Sequence, residues 1–148
     1  MASSPLRAVI DTNVFVSGTI LSRGTPFQVL EAWRRQDYVL VTSEAIIAEI
    51  ERVLHYPRIR DRYAITDQDV VKLLASLRTD AWVVPGDYEL AGVSIDPDDD
   101  KFLACASRAQ ADCIVSGDPH LRNLKQYQGM DILSPYAFLE RLSRLITE

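Results

Sequence analysis

Cysteine is scarce in this chain of 148 residues, and the two present, Cys105 and Cys113, stand too far apart for a CxxC motif. Both lie in apolar contexts, which reads as reduced, buried thiols rather than a disulfide or a thiolate metal site. There is no run of about 18 apolar residues to span a bilayer, and Met1 to Arg7 has no apolar core of signal-peptide length. The expectation is a soluble, cytoplasmic protein with no membrane partner. No Gly/Ser-rich or Pro-rich linker and no internal repeat interrupts a composition that is 47% hydrophobic and 25% charged. Residues 1–148 therefore read as a single domain, with a core over about 6–138. Positive charge is not in surplus either: a net charge of -5 excludes a protein that coats nucleic acid by global attraction. A local basic groove is still allowed. Arg52, His55, Arg58, Arg60 and Arg62 fall in one short stretch with Tyr56 and Tyr63, as a solvated helix end and loop or as a phosphate-contacting surface.

What the chain does have is alternation. Leu6 to Ile10 reads as a buried strand, ended by the turn-forming tripeptide Asp11-Thr12-Asn13. Thr25 as cap and Pro26 at the first position open a helix through Phe27, Leu30 and Trp33. Tyr38 to Thr42 is strand-like, and Ser43 caps a helix whose Ile46, Ile47, Ile50, Val53 and Leu54 recur with helical period before Pro57 stops it. Thr66 and Asp69 form a capping box ahead of Leu73, Leu74 and Leu77. Ala81 to Val84 is a short strand, Asp98 to Gln110 a helix with acids in its first turn, and Cys113 to Val115 a strand ended by Ser116-Gly117-Asp118. A short helix over Pro119 to Leu124, a strand over Met130 to Leu133 and a terminal helix after Ser134-Pro135 complete the series. Strands alternating with helices predict an α/β fold: a central, mainly parallel sheet of about five strands between two helical layers.

Acids occupy the strand ends. Asp11 and Asp118 each follow a short apolar strand, and the ends of parallel strands point to one edge, where ligands bind. Glu49 adjoins the apolar stripe of its helix, either solvated at the border or turned toward a site. Asp96, Asp98, Asp99 and Asp100 exceed what helix capping requires. If Asp11, Glu49, Asp99 and Asp118 converge, carboxylates about 4 Å apart repel by roughly 4 kcal/mol at an effective dielectric near 20. Protonation or bound cations must relieve that. A carboxylate cluster with no cysteine and few histidines selects hard ions, Mg²⁺ or Mn²⁺ over Zn²⁺, and the implied chemistry is phosphodiester hydrolysis.

The order Asp11-Thr12-Asn13, Glu49 within Ser-Glu-x-x-x-x-Glu-Ile, Asp99-x-x-Phe102-Leu103-Ala104-x-Ala106 and Ser116-Gly117-Asp118 resembles the PIN-domain nucleases. The likeness extends from about Leu6 to Phe138 and is greatest to the branch grouped with the toxins of bacterial and archaeal toxin-antitoxin systems, related to the VapC-type ribonucleases. The resemblance implies that Asp11, Glu49, Asp99 and Asp118 are catalytic, metal-binding acids for Mg²⁺ or Mn²⁺, with Asn13 and Ser116 in support. It implies RNA as substrate, a cognate antitoxin as partner, and a homodimer. Two departures stand out. The run Asp98-Asp99-Asp100 leaves Asp100 as an alternative third acid, and His120 stands where relatives often carry another carboxylate. Arg58, Arg60, Lys101 and His120 are candidate substrate contacts. Three other readings remain beside the toxin: an RNA-processing nuclease, a silent RNA- or partner-binding module, and a phosphotransferase with Asp11 as nucleophile.

Overall fold

The computed structural model describes residues 5–85 and 100–147. Its sheet comprises β1 (Arg7–Ile10), β2 (Val39–Ser43), β3 (Trp82–Val84), β4 (Cys113–Val115), β5 (Gln126–Tyr127) and β6 (Met130–Leu133), in the order β3-β2-β1-β4-β6-β5. All pairings are parallel except that of β5 with β6. The sheet thus has six strands rather than about five. The extra one, β5, has only two residues, too few to leave an alternating pattern in the sequence.

Consecutive strand residues face opposite sides of a sheet. Ala8, Val9 and Ile10 are all buried, and so are Cys113, Ile114 and Val115, so both faces of the central strands are covered. That is the expected three-layer α/β/α arrangement. The helices are α1 (Thr12–Ile20), α2 (Thr25–Arg34), α3 (Glu44–Leu54), α4 (Pro57–Tyr63), α5 (Asp67–Asp80), α6 (Asp100–Ala109), α7 (Pro119–Arg122) and α8 (Pro135–Thr147). Helix α6 packs on β1, β2 and β4, whereas α1 packs against α2 and α3, and α2 against α8. Between the layers, the Tyr38 hydroxyl donates to the Val29 carbonyl (2.9 Å), and its ring meets Phe138 edge-on at 4.9 Å. Cys105 and Cys113 are free, buried thiols, and burial pushes both up to about 12.

Local capping follows the sequence in most places. Ser43 accepts from the Ile46 N–H, Thr66 and Asp69 form the reciprocal capping box, and Ser134 accepts from the Ala137 N–H. The cap of α2 is a correction: it is Gly24, at φ 100, and Thr25 is already helical. A second correction concerns Asp11-Thr12-Asn13, which is no turn. Asp11 caps a helix that starts at Thr12. Helix α1 escapes sequence reading because it is rich in β-branched residues and is buried on several sides, at Thr12, Val14, Phe15, Val16 and Gly18, which erases the one-sided stripe. Helix α4 was likewise unexpected. It puts Arg58, Arg60 and Arg62 on a short helix rather than a loop.

Among the described residues, the buried hydroxyls of Thr12 and Thr42 have no hydrogen-bond partner. An unsatisfied buried hydroxyl costs about 1–3 kcal/mol. Thr42 lies within β2, where valine has the same branching and a good strand propensity. Thr42→Val is therefore expected to stabilise by about 1 kcal/mol, or roughly 2–4 °C in thermal melts. A lower melting temperature would show that the hydroxyl is satisfied, by water for instance.

Candidate metal and active site

The strand order locates the site before any side chain is considered. From β1 the chain moves outward through β2 to β3, then returns to the other flank of β1 for β4 and β6. The direction of winding reverses between β1 and β4, and a crevice opens at the carboxyl ends of strands at such a point. Asp11 follows β1 and Ser116-Gly117-Asp118 follows β4, so both acids flank that crevice.

Asp11 is tied in on every side. Its N–H donates to the Val115 carbonyl (3.0 Å), extending the β1–β4 pairing by one residue. Its Oδ1 accepts from the Val14 N–H (2.8 Å) as the cap of α1. Its Oδ2 accepts from the Ser116 hydroxyl. Ser116 Oγ in turn accepts from the Asp118 N–H (2.9 Å), so one serine links the two acids. Burial raises the Asp11 carboxyl above its ordinary value; Ser116 and Val14 oppose the rise, and the charge of Asp118 adds to it. A carboxylate serving only as a helix cap is normally favoured in its charged form by the N–H groups it accepts from and by the helix dipole. Here desolvation, joined by the like charge of Asp118, outweighs those hydrogen bonds.

The other acids divide. Asp100 is buried as the first residue of α6, and the neighbouring Asp99 lies outside the described residues, as do Asp96 and Asp98. Glu49, on α3, is ion-paired with Lys101 of α6, and the Lys101 ammonium also lies 5.2 Å from the centre of the Phe102 ring. Asn13 is exposed in the first turn of α1. Among the described residues, no group of three or more His, Cys, Asp or Glu side chains is close enough to hold a metal ion. Convergence of four acids is therefore not seen there; what is brought together is Asp11, Ser116 and Asp118. Mg²⁺ usually binds proteins through only one or two carboxylates, keeping waters and taking up substrate phosphate oxygens. The Asp11–Asp118 pair, all oxygen and short of counter-charge at Asp11, fits such an ion.

The candidate substrate contacts also divide. Arg60 pairs with Asp67 (2.7 Å) and donates to the Ile65 carbonyl (3.2 Å), which ties α4 to the start of α5. Arg58 is exposed on α4. His120 is on α7, with its side chain outside the described residues, and His55 Nδ1 contacts the Glu51 carbonyl oxygen (2.8 Å). Sequence reading did not foresee the Glu49–Lys101 pair. The two residues are far apart in the chain, and no local spacing couples them.

Strand-end acids at the switch point of a parallel α/β/α sheet define an α/β protein whose ligand site lies at the carboxyl ends of its strands. The chain belongs to the PIN domain family, a family of nucleases, whose model matches residues 7–120. It is similar to Uncharacterized protein MJ1680 of Methanocaldococcus jannaschii, 26% identical over 155 residues covering 99% of this chain and 98% of that protein. Among solved structures, the crystal structure of FitAcB from Neisseria gonorrhoeae aligns with a TM-score of 0.48 and 12% identity, over 87% of this chain and 98% of that one.

Proposed function

We propose that the protein is a Mg²⁺- or Mn²⁺-dependent endoribonuclease that hydrolyses RNA phosphodiester bonds, acting as the toxin of a toxin-antitoxin pair. The observation that carries the nuclease reading is the buried Asp11 carboxylate, held at the β1–β4 switch point and raised in pKa by burial, with the charge of Asp118 adding to the rise. Asp11 and Asp118 would hold the cation, with Asp99, or Asp100 in its place, as third acid and Glu49 as fourth. When bound, the cation supplies charge neutralisation at the phosphate and an activated water. Ser116 orients Asp11 through its hydroxyl and fixes the Asp118 backbone. In this reading Asn13, exposed at the start of α1, supports the acids through water, and Arg58, exposed on α4, contacts a phosphate of the substrate. The toxin role, the cognate antitoxin and the homodimer rest on the sequence resemblance to the toxin branch, and the cytoplasmic address on the reduced cysteines and the lack of a long apolar run.

Purified protein is expected to cut single-stranded RNA with Mg²⁺ or Mn²⁺, to stop in EDTA, and to resume when the ion is restored in excess. Asp118→Asn removes a direct ligand and lowers the rate on the order of 10²-fold or more, since loss of an outer partner alone costs 10–100-fold. Cleavage undiminished in EDTA would sink the metal assignment. The lack of a three-acid cluster among the described residues keeps one rival, a silent binding module. Metal that raises the melting temperature of a chain unable to cut any RNA would favour that rival.

A further inference from the structure

The Glu49–Lys101 pair points to a mode of control. It joins α3 to α6, and both side chains are largely shielded from water, at 18% and 19% exposure, so solvent screens the pair far less than a surface ion pair. Lys101 directly follows the buried Asp100, and its ammonium is held from a second side by the Phe102 ring. Glu49 in this state already has a cation. A divalent ion seeking Glu49 as a ligand must displace the ammonium or bear its repulsion. Lysine carries a compact charge on a four-carbon stem and can exchange a carboxylate for a phosphate without movement of the backbone.

We infer that Lys101 is a positioning residue that withholds Glu49 from metal until an RNA phosphate draws its ammonium away, so that metal and RNA bind cooperatively. This rests on the nuclease reading of the same site and goes beyond it by assigning the order of assembly. Coupling between two ligands is reciprocal, so it is measurable as metal affinity alone.

The test is calorimetric titration of Mn²⁺ into wild type, Lys101→Met and Lys101→Arg, each with and without a short 2′-O-methyl oligoribonucleotide whose integrity is checked on a gel. For wild type, the oligonucleotide is expected to tighten Mn²⁺ binding about fivefold or more, the lower end of typical coupling. Lys101→Met binds Mn²⁺ tighter than wild type without oligonucleotide and gains less from it than wild type does, the remainder coming from phosphate oxygens on the metal itself, whereas Lys101→Arg retains the full coupling. Lys101→Gln serves in place of methionine if that variant does not fold. A neutral variant that binds Mn²⁺ no tighter than wild type, or whose oligonucleotide effect is as large as that of wild type, overturns the inference. Should that happen while wild type binds Mn²⁺ and cuts RNA in an Asp11-dependent way, the nuclease reading survives. If wild type binds no Mn²⁺ at all, both fall.

Discussion

Asp11→Asn is expected to abolish metal-dependent cleavage while making the metal-free protein more stable at neutral pH. Loss of activity follows from loss of a direct ligand, on the order of 10²-fold or more, because even an outer partner of a metal is worth 10–100-fold. The gain in stability follows from the raised pKa of Asp11, caused first by burial and reinforced by Asp118. An acid with a folded pKa above its unfolded value, near 3.8, contributes stability that is complete below that value. That stability is lost as pH rises through the folded pKa, so without metal the buried carboxyl favours wild type less and less as pH rises. Asparagine keeps an oxygen for the Val14 N–H and removes the charge. Thermal melts in EDTA across pH 4–8 should show wild type losing stability with rising pH relative to the variant. Adding Mn²⁺ should raise the melting temperature of wild type and leave Asp11→Asn nearly unmoved. A variant less stable than wild type in EDTA at pH 7 would mean that the carboxylate hydrogen bonds outweigh desolvation.

Gly18→Ala carries the largest expected effect on the fold. Alanine is favoured over glycine within a helix by about 1 kcal/mol, which alone predicts stabilisation of α1. A β-carbon at Gly18 would lie 2.5 Å from the Pro26 carbonyl oxygen, 2.9 Å from its carbon and 2.8 Å from Leu30 Cγ. Leu30 can change rotamer, but the Pro26 carbonyl is backbone in the first turn of α2 and yields only if the helices separate. Overpacking typically costs 1–3 kcal/mol, occasionally more, and a clash with backbone belongs at the upper end. The clash exceeds the propensity gain, and Gly18→Ala should lose about 2 kcal/mol net, or roughly 4–8 °C in thermal melts. Because α1 begins at the Asp11 cap, separating α1 from α2 also shifts the carboxylate, so metal-induced stabilisation should shrink with it. An unchanged or higher melting temperature would place the helices further apart than described.

Legibility in the sequence followed the range of the interaction that builds each feature. β4 lies where expected, at Cys113–Val115, because a short apolar run between Gly and Asp signals is a local pattern. The caps of α3 and α5 were legible for the same reason, as Ser43 and Thr66 act within their own first turns. Helix α1 was not, because its residues are helical through packing against α2 and α3 rather than by preference. Lys101 read as a phosphate contact because nothing near it in the chain reveals Glu49 across the α3–α6 contact.

The sequence by itself determined that strands and helices alternate, that the sheet is mainly parallel, and that acids stand at the strand ends, since hydrophobic period and turn chemistry are set by near neighbours. Only the tertiary structure decided that β1 and β4 are adjacent, so that Ser116 reaches Asp11 and Asp118 acts on a buried carboxylate. It alone decided that Glu49 faces an ammonium. Both depend on strand order and helix packing, which bring together residues 105 and 52 positions apart in the chain. Free energy at that range comes from burial and charge rather than local propensity.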